Sequence, residues 1–189
     1  MADADDDELM ARVQRRDQAA FGRLVDRHLD GVHRYLVRLT ASMADADELA
    51  QETFLRLWER ADSYRPGRVQ LSTWLHRIAH NLAVDELRRR RPQTDETELQ
   101  AAPDEANPEH QAAARETGRR LDRALARLPE TQRAALLLCQ VQGFSNRDAA
   151  EIIGVSVRGL ESLIARARRS LRDALQDDLE YDPTRGSNG

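Results

Sequence analysis

A stripe of side chains near the C-terminus has the chemistry to read DNA. At 100° per residue from Val157, the residues Arg158, Ser162, Arg166 and Arg169 share one helix face, with Glu161 and Ala165 flanking them. Val157, Leu160, Leu163, Ile164, Ala167 and Leu171 fall on the opposite side. Arginine forks match guanine edges and phosphates, and a glutamate accepts from cytosine N4. A solvated basic face would show the same stripe, so the punctuation upstream matters. Ser145 and Ser156 sit where N-caps belong, and Gly154 sits where a left-handed C-cap belongs. Leu128-Pro129-Glu130, Gly143-Phe144-Ser145 and the run from Ala149 to Ser156 therefore read as two helices joined by a tight turn, the unit that sets a short helix into the major groove.

Two further constellations lie upstream. Trp74, Arg77, Asn81 and Arg88 fall on one strip of a helix over 72–91, and a loop from Tyr64 to Leu71 carrying Arg65 and Arg68 would hang over it. Aromatic, amide and guanidinium groups together suit single-stranded DNA, whose unstacked bases offer π-faces and free edges. The run Arg88–Arg91 can follow phosphates, or simply complement a helix C-terminus. Glu48, Gln51, Glu52, Leu55 and Glu59 recur at helical spacing away from the core, with Trp58 beside them. An acidic stripe broken by an exposed Leu and Trp suits a protein-binding surface with an aromatic anchor, unless Trp58 folds back into its own core.

No residue set calls for catalysis or a cofactor. His76 and His80 stand at i, i+4, a spacing that can hold zinc, but no Glu follows His76 and no Cys is near, so no metal is expected. His80 is expected on the outer face. Cys139 lies in an apolar run and reads as a buried small hydrophobe.

The elements that position these groups are helical throughout. Proline and glycine are few and β-branched runs scarce, so the fold class is all-α: two small helical domains joined by a flexible acidic linker. The spacing predicts helices over 9–15, from about Asp17 with Phe21, Leu24, Val25, Val32, Leu36 and Leu39 inward, over 44–61, and from a Ser72 or Thr73 cap to Pro92. A second block gives helices over 118–128, 130–142, 146–153 and 157–175, with Pro129 in a first turn. The division is an acidic tail over 1–8, a domain over 9–91, a linker over 92–116, a domain over 117–175 and a tail over 176–189.

Charge follows these boundaries. The 189-residue chain has net charge −4, yet segments 9–91 and 117–175 are each +5, while 1–8, 92–116 and 176–189 are −5, −6 and −3. Basic blocks between acidic tethers suit a polyanionic partner. All 29 basic residues other than histidine are Arg. The single Cys139 fits a reducing compartment, and the N-terminus lacks the apolar stretch of a signal peptide, so a cytoplasmic location is expected.

The run "RHLDGVHRYLVRLTASMADADELAQETFLRLW" followed by "STWLHRIAHNLAVDELRRRR" resembles domain 2 of extracytoplasmic-function (group 4) sigma factors of the sigma-70 family. The run "LPETQRAALLLCQVQGFSNRDAAEIIGVSVRGLESLIARARRSLR" resembles their domain 4. The resemblance implies a noncatalytic initiation subunit that brings bacterial RNA polymerase core to promoter DNA. Glu48, Gln51, Glu52, Leu55 and Trp58 would meet the clamp coiled coil of the largest core subunit, and domain 4 the flap of the second-largest. Asn81 and the loop from Tyr64 to Leu71 would capture a flipped minus-10 base, aided by Arg65, Arg68, Trp74, Arg77 and Arg88. Arg158, Glu161, Ser162, Ala165, Arg166 and Arg169 would read the minus-35 element, with Glu161 where many relatives carry a basic residue. An anti-sigma factor would hold such a protein inactive. Two rivals remain: a transcriptional repressor or response regulator reading an operator as a dimer, and an enzyme such as a zinc hydrolase resting on the histidine pair alone.

Overall fold

The computed structural model describes residues 5–90, 118 and 120–180, and every regular element among them is helical. The linker over 92–116 and residues 1–4 and 181–189 lie outside the described residues, as does Arg91. In the first half, α1 (Asp6–Val13), α2 (Gln18–Thr40), α3 (Met43–Glu59) and α4 (Leu71–Arg90) surround one core. A single 3-10 turn, Ala61–Ser63, follows α3. In the second half, α5 (120–126), α6 (Glu130–Leu136), α7 (Asn146–Ile153) and α8 (Val157–Glu180) surround its continuation, the buried apolar residues of both halves forming one cluster.

Helix starts follow the caps. The Asp5 carboxylate accepts from the Glu8 N–H and opens α1 at Asp6, three residues earlier than the spacing predicts, so the acidic tail is partly helical. Asp17 caps α2 through the Ala20 N–H, which holds its carboxyl below the usual range. Ser42 caps α3, and Ser145 and Ser156 cap α7 and α8 through the N–H groups of Asp148 and Gly159. Each such bond contributes on the order of 1 kcal/mol. Two expectations shift. Helix α4 starts at Leu71, with the Trp74 N–H donating to the Gln70 carbonyl, so Ser72 and Thr73 lie inside its first turn rather than capping it. Pro129 is the N-cap residue of α6 rather than part of its first turn.

Leu24, Leu36 and Leu39 of α2, Leu49 and Leu57 of α3, and Leu75 and Leu82 of α4 close the first half's share of the core, with Leu9, Met10 and Val13 of α1 filling one end. Full burial of a side chain of this size stabilises by about 1.5–3 kcal/mol. Leu125, Leu128, Leu136, Leu137, Leu138, Ile152, Leu160 and Ile164 make the second half's share of the same core. The helix predicted over 130–142 is two elements: after α6 the backbone widens into a π turn, Leu137–Val141. Such π segments are rare and occur mostly as single turns within α-helices. Here the turn delivers the chain to Gly143 (φ +76°) and the start of α7.

The two halves pack on each other. Helix α7 lies on α4, and the π turn lies on α2. Arg133 of α6 donates to the Leu39 carbonyl at the end of α2 (2.8 Å), and the Gln142 amide donates to the Gly31 carbonyl (3.2 Å). Phe144 meets the His76 ring edge-on, and Arg77 faces Glu151 at 3.7 Å.

Candidate nucleic-acid interface

Helix α8 presents its predicted stripe as the spacing requires. Arg158, Glu161, Ser162, Ala165, Arg166 and Arg169 are all exposed, while Leu160, Ile164 and Ala167 are buried. The Ser162 hydroxyl donates back to the Arg158 carbonyl at 3.0 Å, so its oxygen keeps acceptor capacity on the outer face. Gly154 ends α7 at φ +78°, a conformation costly for any residue with a Cβ. One inward assignment fails: Val157, the first residue after the Ser156 cap, is 43% exposed, and its neighbours Val155, Ser156 and Arg158 are exposed too.

The strip on α4 is narrower than predicted. Arg77, Asn81 and Arg88 are exposed, but Trp74 is only 9% exposed and is no open stacking platform. Its ring stands edge-on to Tyr64, centroids 5.6 Å apart, because the loop over 64–71 folds against the start of α4. Tyr64 is itself buried, its hydroxyl donating to Asp7 Oδ1 at 2.7 Å, and burial together with that carboxylate pushes the phenol well above its ordinary pKa. What the loop exposes is its apex, Arg65-Pro66-Gly67-Arg68. Arg65 turns back onto the carbonyls of Asp62 and Tyr64, and Gly67 takes φ +74°. Arg68 lies exposed beside it.

Within the four-arginine run, Arg90 is committed. It grips the buried Asp45 carboxylate with both terminal nitrogens, the longer contact being 2.6 Å, and also reaches Glu86. These bonds raise its pKa above the usual arginine value, Asp45 contributing most. Arg89 faces Glu86 at 3.5 Å. The bundle end thus uses part of the run to close itself.

On α3, Glu48, Gln51 and Glu59 are exposed and Glu52 is half-buried beside Arg56, 2.8 Å away. Leu55 is 49% exposed. Trp58 is half-buried: Phe21 packs edge-on at 5.2 Å, and the Arg16 guanidinium lies 5.5 Å from the ring centre. Arg16, at φ 65°, also donates to the Trp58 carbonyl at 2.9 Å. Trp58 thus belongs partly to its own bundle and partly to the outer surface, while Leu55 is the freer apolar group.

Neither histidine of the i, i+4 pair lies on the outer face. His80 is buried and its Nδ1 pairs with the Tyr35 hydroxyl at 2.9 Å; His76 is buried with Nδ1 donating to the Ser72 carbonyl. Their first nitrogens serve different partners. Burial lowers both imidazoles to about 4. Among the described residues, no cluster of three or more His, Cys, Asp or Glu could hold a metal ion. Cys139 is half-buried in the π turn rather than buried, with Sγ 3.7 Å from Asn146 Oδ1. The sequence reading missed the seam between the halves. Its one visible signal was Arg133, a charge set against the apolar run that follows it.

Family models for "Sigma-70 region 2" and "Sigma-70, region 4" match residues 24–93 and 118–171. ECF RNA polymerase sigma factor SigM of Mycobacterium tuberculosis is 37% identical over 88% of this chain and 82% of its own length. The chain belongs to the ECF RNA polymerase sigma factors. RNA polymerase sigma factor CnrH of Cupriavidus metallidurans is 33% identical over 91% of this chain and 95% of its own. This sigma factor spans 64% of the length of SigE of Mycolicibacterium smegmatis, at 37% identity. Its fold is similar to that of CnrH in complex with the cytosolic domain of CnrY, with TM-score 0.70, 30% identity and coverage of 90% and 96%. It is also similar to the sigma factor RpoE bound to the anti-sigma factor NepR from Bartonella quintana, with TM-score 0.68, 25% identity and coverage of 82% and 96%. No helix among the described residues is long and apolar enough to cross a membrane.

Proposed function

We propose that the chain binds core RNA polymerase and directs it to a set of promoters, working in the cytoplasm without catalytic activity of its own. Helix α8 reads the minus-35 element, and α4 with the loop over 64–71 captures bases of the opened minus-10 strand. The observation that carries this reading is the exposed stripe of Arg158, Glu161, Ser162, Ala165, Arg166 and Arg169 on a helix capped by Ser156 just after the Gly154 turn that ends α7, in a chain of this family. Arg77, Asn81, Arg88 and the loop apex supply the second reading face, and Glu48, Gln51, Glu52, Leu55 and Trp58 the core-binding face. Binding energy drives opening. Unstacking a base costs a few kcal/mol, which contacts at the pocket and on polymerase recover.

In the packed arrangement Arg77 faces Glu151 of α7, so one reading face is partly covered by the other half of the chain. Control by an anti-sigma factor is supported by the likeness to CnrH in complex with the cytosolic domain of CnrY and to RpoE in complex with the anti-sigma factor NepR. The test is reconstitution: chain, core polymerase and a library of promoter fragments, read as specific transcripts. Asn81→Ala should cut open-complex formation at least tenfold while leaving core affinity intact. A chain that joins core yet initiates on no fragment would sink the reading.

A further inference from the structure

We infer that α1 is the bracket that fixes the loop over 64–71, with Asp7 and Gln14 as positioning residues for recognition of an unstacked minus-10 base. This rests on the reading of that loop as the capture element.

The loop is tied at both ends and free in the middle. Tyr64 Oη donates to Asp7 Oδ1 at 2.7 Å and lies 3.2 Å from the Val69 carbonyl, so one buried phenol joins the loop's entry, its exit and α1. The Gln14 amide donates to two successive turns of the incoming chain, the carbonyls of Ala61 at 3.0 Å and Tyr64 at 3.2 Å. Trp74 closes the same corner from α4. Helix α1 cannot drift, because Leu9, Met10 and Val13 are fully buried and Asp6 pairs with Arg27 and His28 of α2. The apex residues Arg65 to Arg68 are left exposed beside the α4 strip.

A pocket that discriminates bases needs its edges fixed to a fraction of an ångström, because hydrogen bonds weaken steeply off geometry. An exposed loop alone would lose that precision to its own conformational freedom. The bracket removes the freedom from a helix more than 40 residues away in sequence that carries none of the predicted reading residues. Asp7 accepts from the Tyr64 hydroxyl, and Gln14 donates to the backbone carbonyls of Ala61 and Tyr64. They act through the loop.

The test uses holoenzyme reconstituted from core polymerase and the full chain. A pool of single-stranded DNA oligonucleotides, randomised at every position, is selected on each holoenzyme and sequenced. Asp7→Ala, Gln14→Ala and Tyr64→Phe should each reduce base preference about tenfold at one or two adjacent positions. Preference elsewhere, and core affinity, should stay within twofold. Glu8→Ala, exposed on the same helix, should match wild type. Tyr64→Phe keeps the ring in place, so it reports the bracket even if Asp7→Ala fails to fold. Retained preference in the three variants, with preference lost in Asn81→Ala, overturns the bracket and leaves the capture reading standing. An even loss across all positions with a lowered melting temperature also overturns it, since that is a merely structural role. Unchanged preference in Asn81→Ala, Arg65→Ala and Arg68→Ala alike removes the capture reading and the bracket with it.

Discussion

The ring of Phe144 stands edge-on to the imidazole of His76, centroids 4.8 Å apart, and the two residues come from opposite halves of the chain. Tyr35 of α2 also packs on His76, tilted, with centroids 5.6 Å apart, so the imidazole joins α2, α4 and the turn into α7. Edge-to-face pairs contribute about 0.5–1.5 kcal/mol beyond their buried area. Phe144→Ala should therefore loosen the seam without unfolding either half. Small-angle scattering should show a larger radius of gyration for the variant.

The buried imidazoles also set a pH dependence. His76 and His80 are held neutral, with pKa lowered from 6.5 to about 4 by burial. The unfolded chain binds more protons than the folded one between those values, so stability falls as pH drops from about 6.5 towards 4. Each histidine contributes a loss on the order of 2 kcal/mol at pH 5. Melting temperature measured from pH 7.5 to 5 should fall, and His80→Gln, which can still meet the Tyr35 hydroxyl, should flatten roughly half of that descent.

Arg133 is buried with its guanidinium donating to the carbonyls of Leu39, Ala126 and Leu128, and burial pulls its pKa below the usual arginine value. Arg133→Met keeps most of the volume and leaves those acceptors without their donor. The expected loss is about 1–3 kcal/mol in a denaturant titration. Because Leu39 lies in the other half, the variant should also show the expanded radius predicted for Phe144→Ala.

Leu55 and Trp58 should separate under substitution. Leu55→Ala removes a half-exposed group and should weaken core binding by about 1 kcal/mol or more with little change in melting temperature. Trp58→Ala also removes the Phe21 and Arg16 contacts, so both quantities should fall. Affinity for core unchanged in both variants would move the polymerase surface elsewhere.

Glu161 is exposed in the middle of the α8 stripe, where an acceptor favours a cytosine partner. Glu161→Arg should change the preferred base at one minus-35 position towards guanine, by about 1–3 kcal/mol, in a duplex-binding selection. Preference at the other positions should persist.

The fold was legible because its signals are local. Asp17, Ser145, Ser156 and Gly154 announce helix ends by their own chemistry, and the α8 stripe follows from 100° per residue alone. Trp74 and His80 misled for one reason. Periodicity places a residue on a face of its helix, but not what will be folded over that face. The loop over 64–71 covers Trp74, and Tyr35 meets His80 across 45 residues of sequence. The same limit hid Asp7, whose role depends on a partner 57 positions away. Arg133 could have been found: a guanidinium leading into Ala134–Leu138 demands acceptors, and only tertiary packing could say whose.

The seam has a practical corollary for handling the molecule. Parting the halves uncovers the faces of Phe144 and His76 and takes the Arg133 donor from the Leu39 carbonyl in the last turn of α2, a sticky mix of oily rings and an acceptor without its partner. An open chain without an escort would be drawn into self-association, so light scattering of concentrated Phe144→Ala samples should rise with time. If closure is what keeps the molecule dispersed, the wild-type chain at the same concentration should show no such rise.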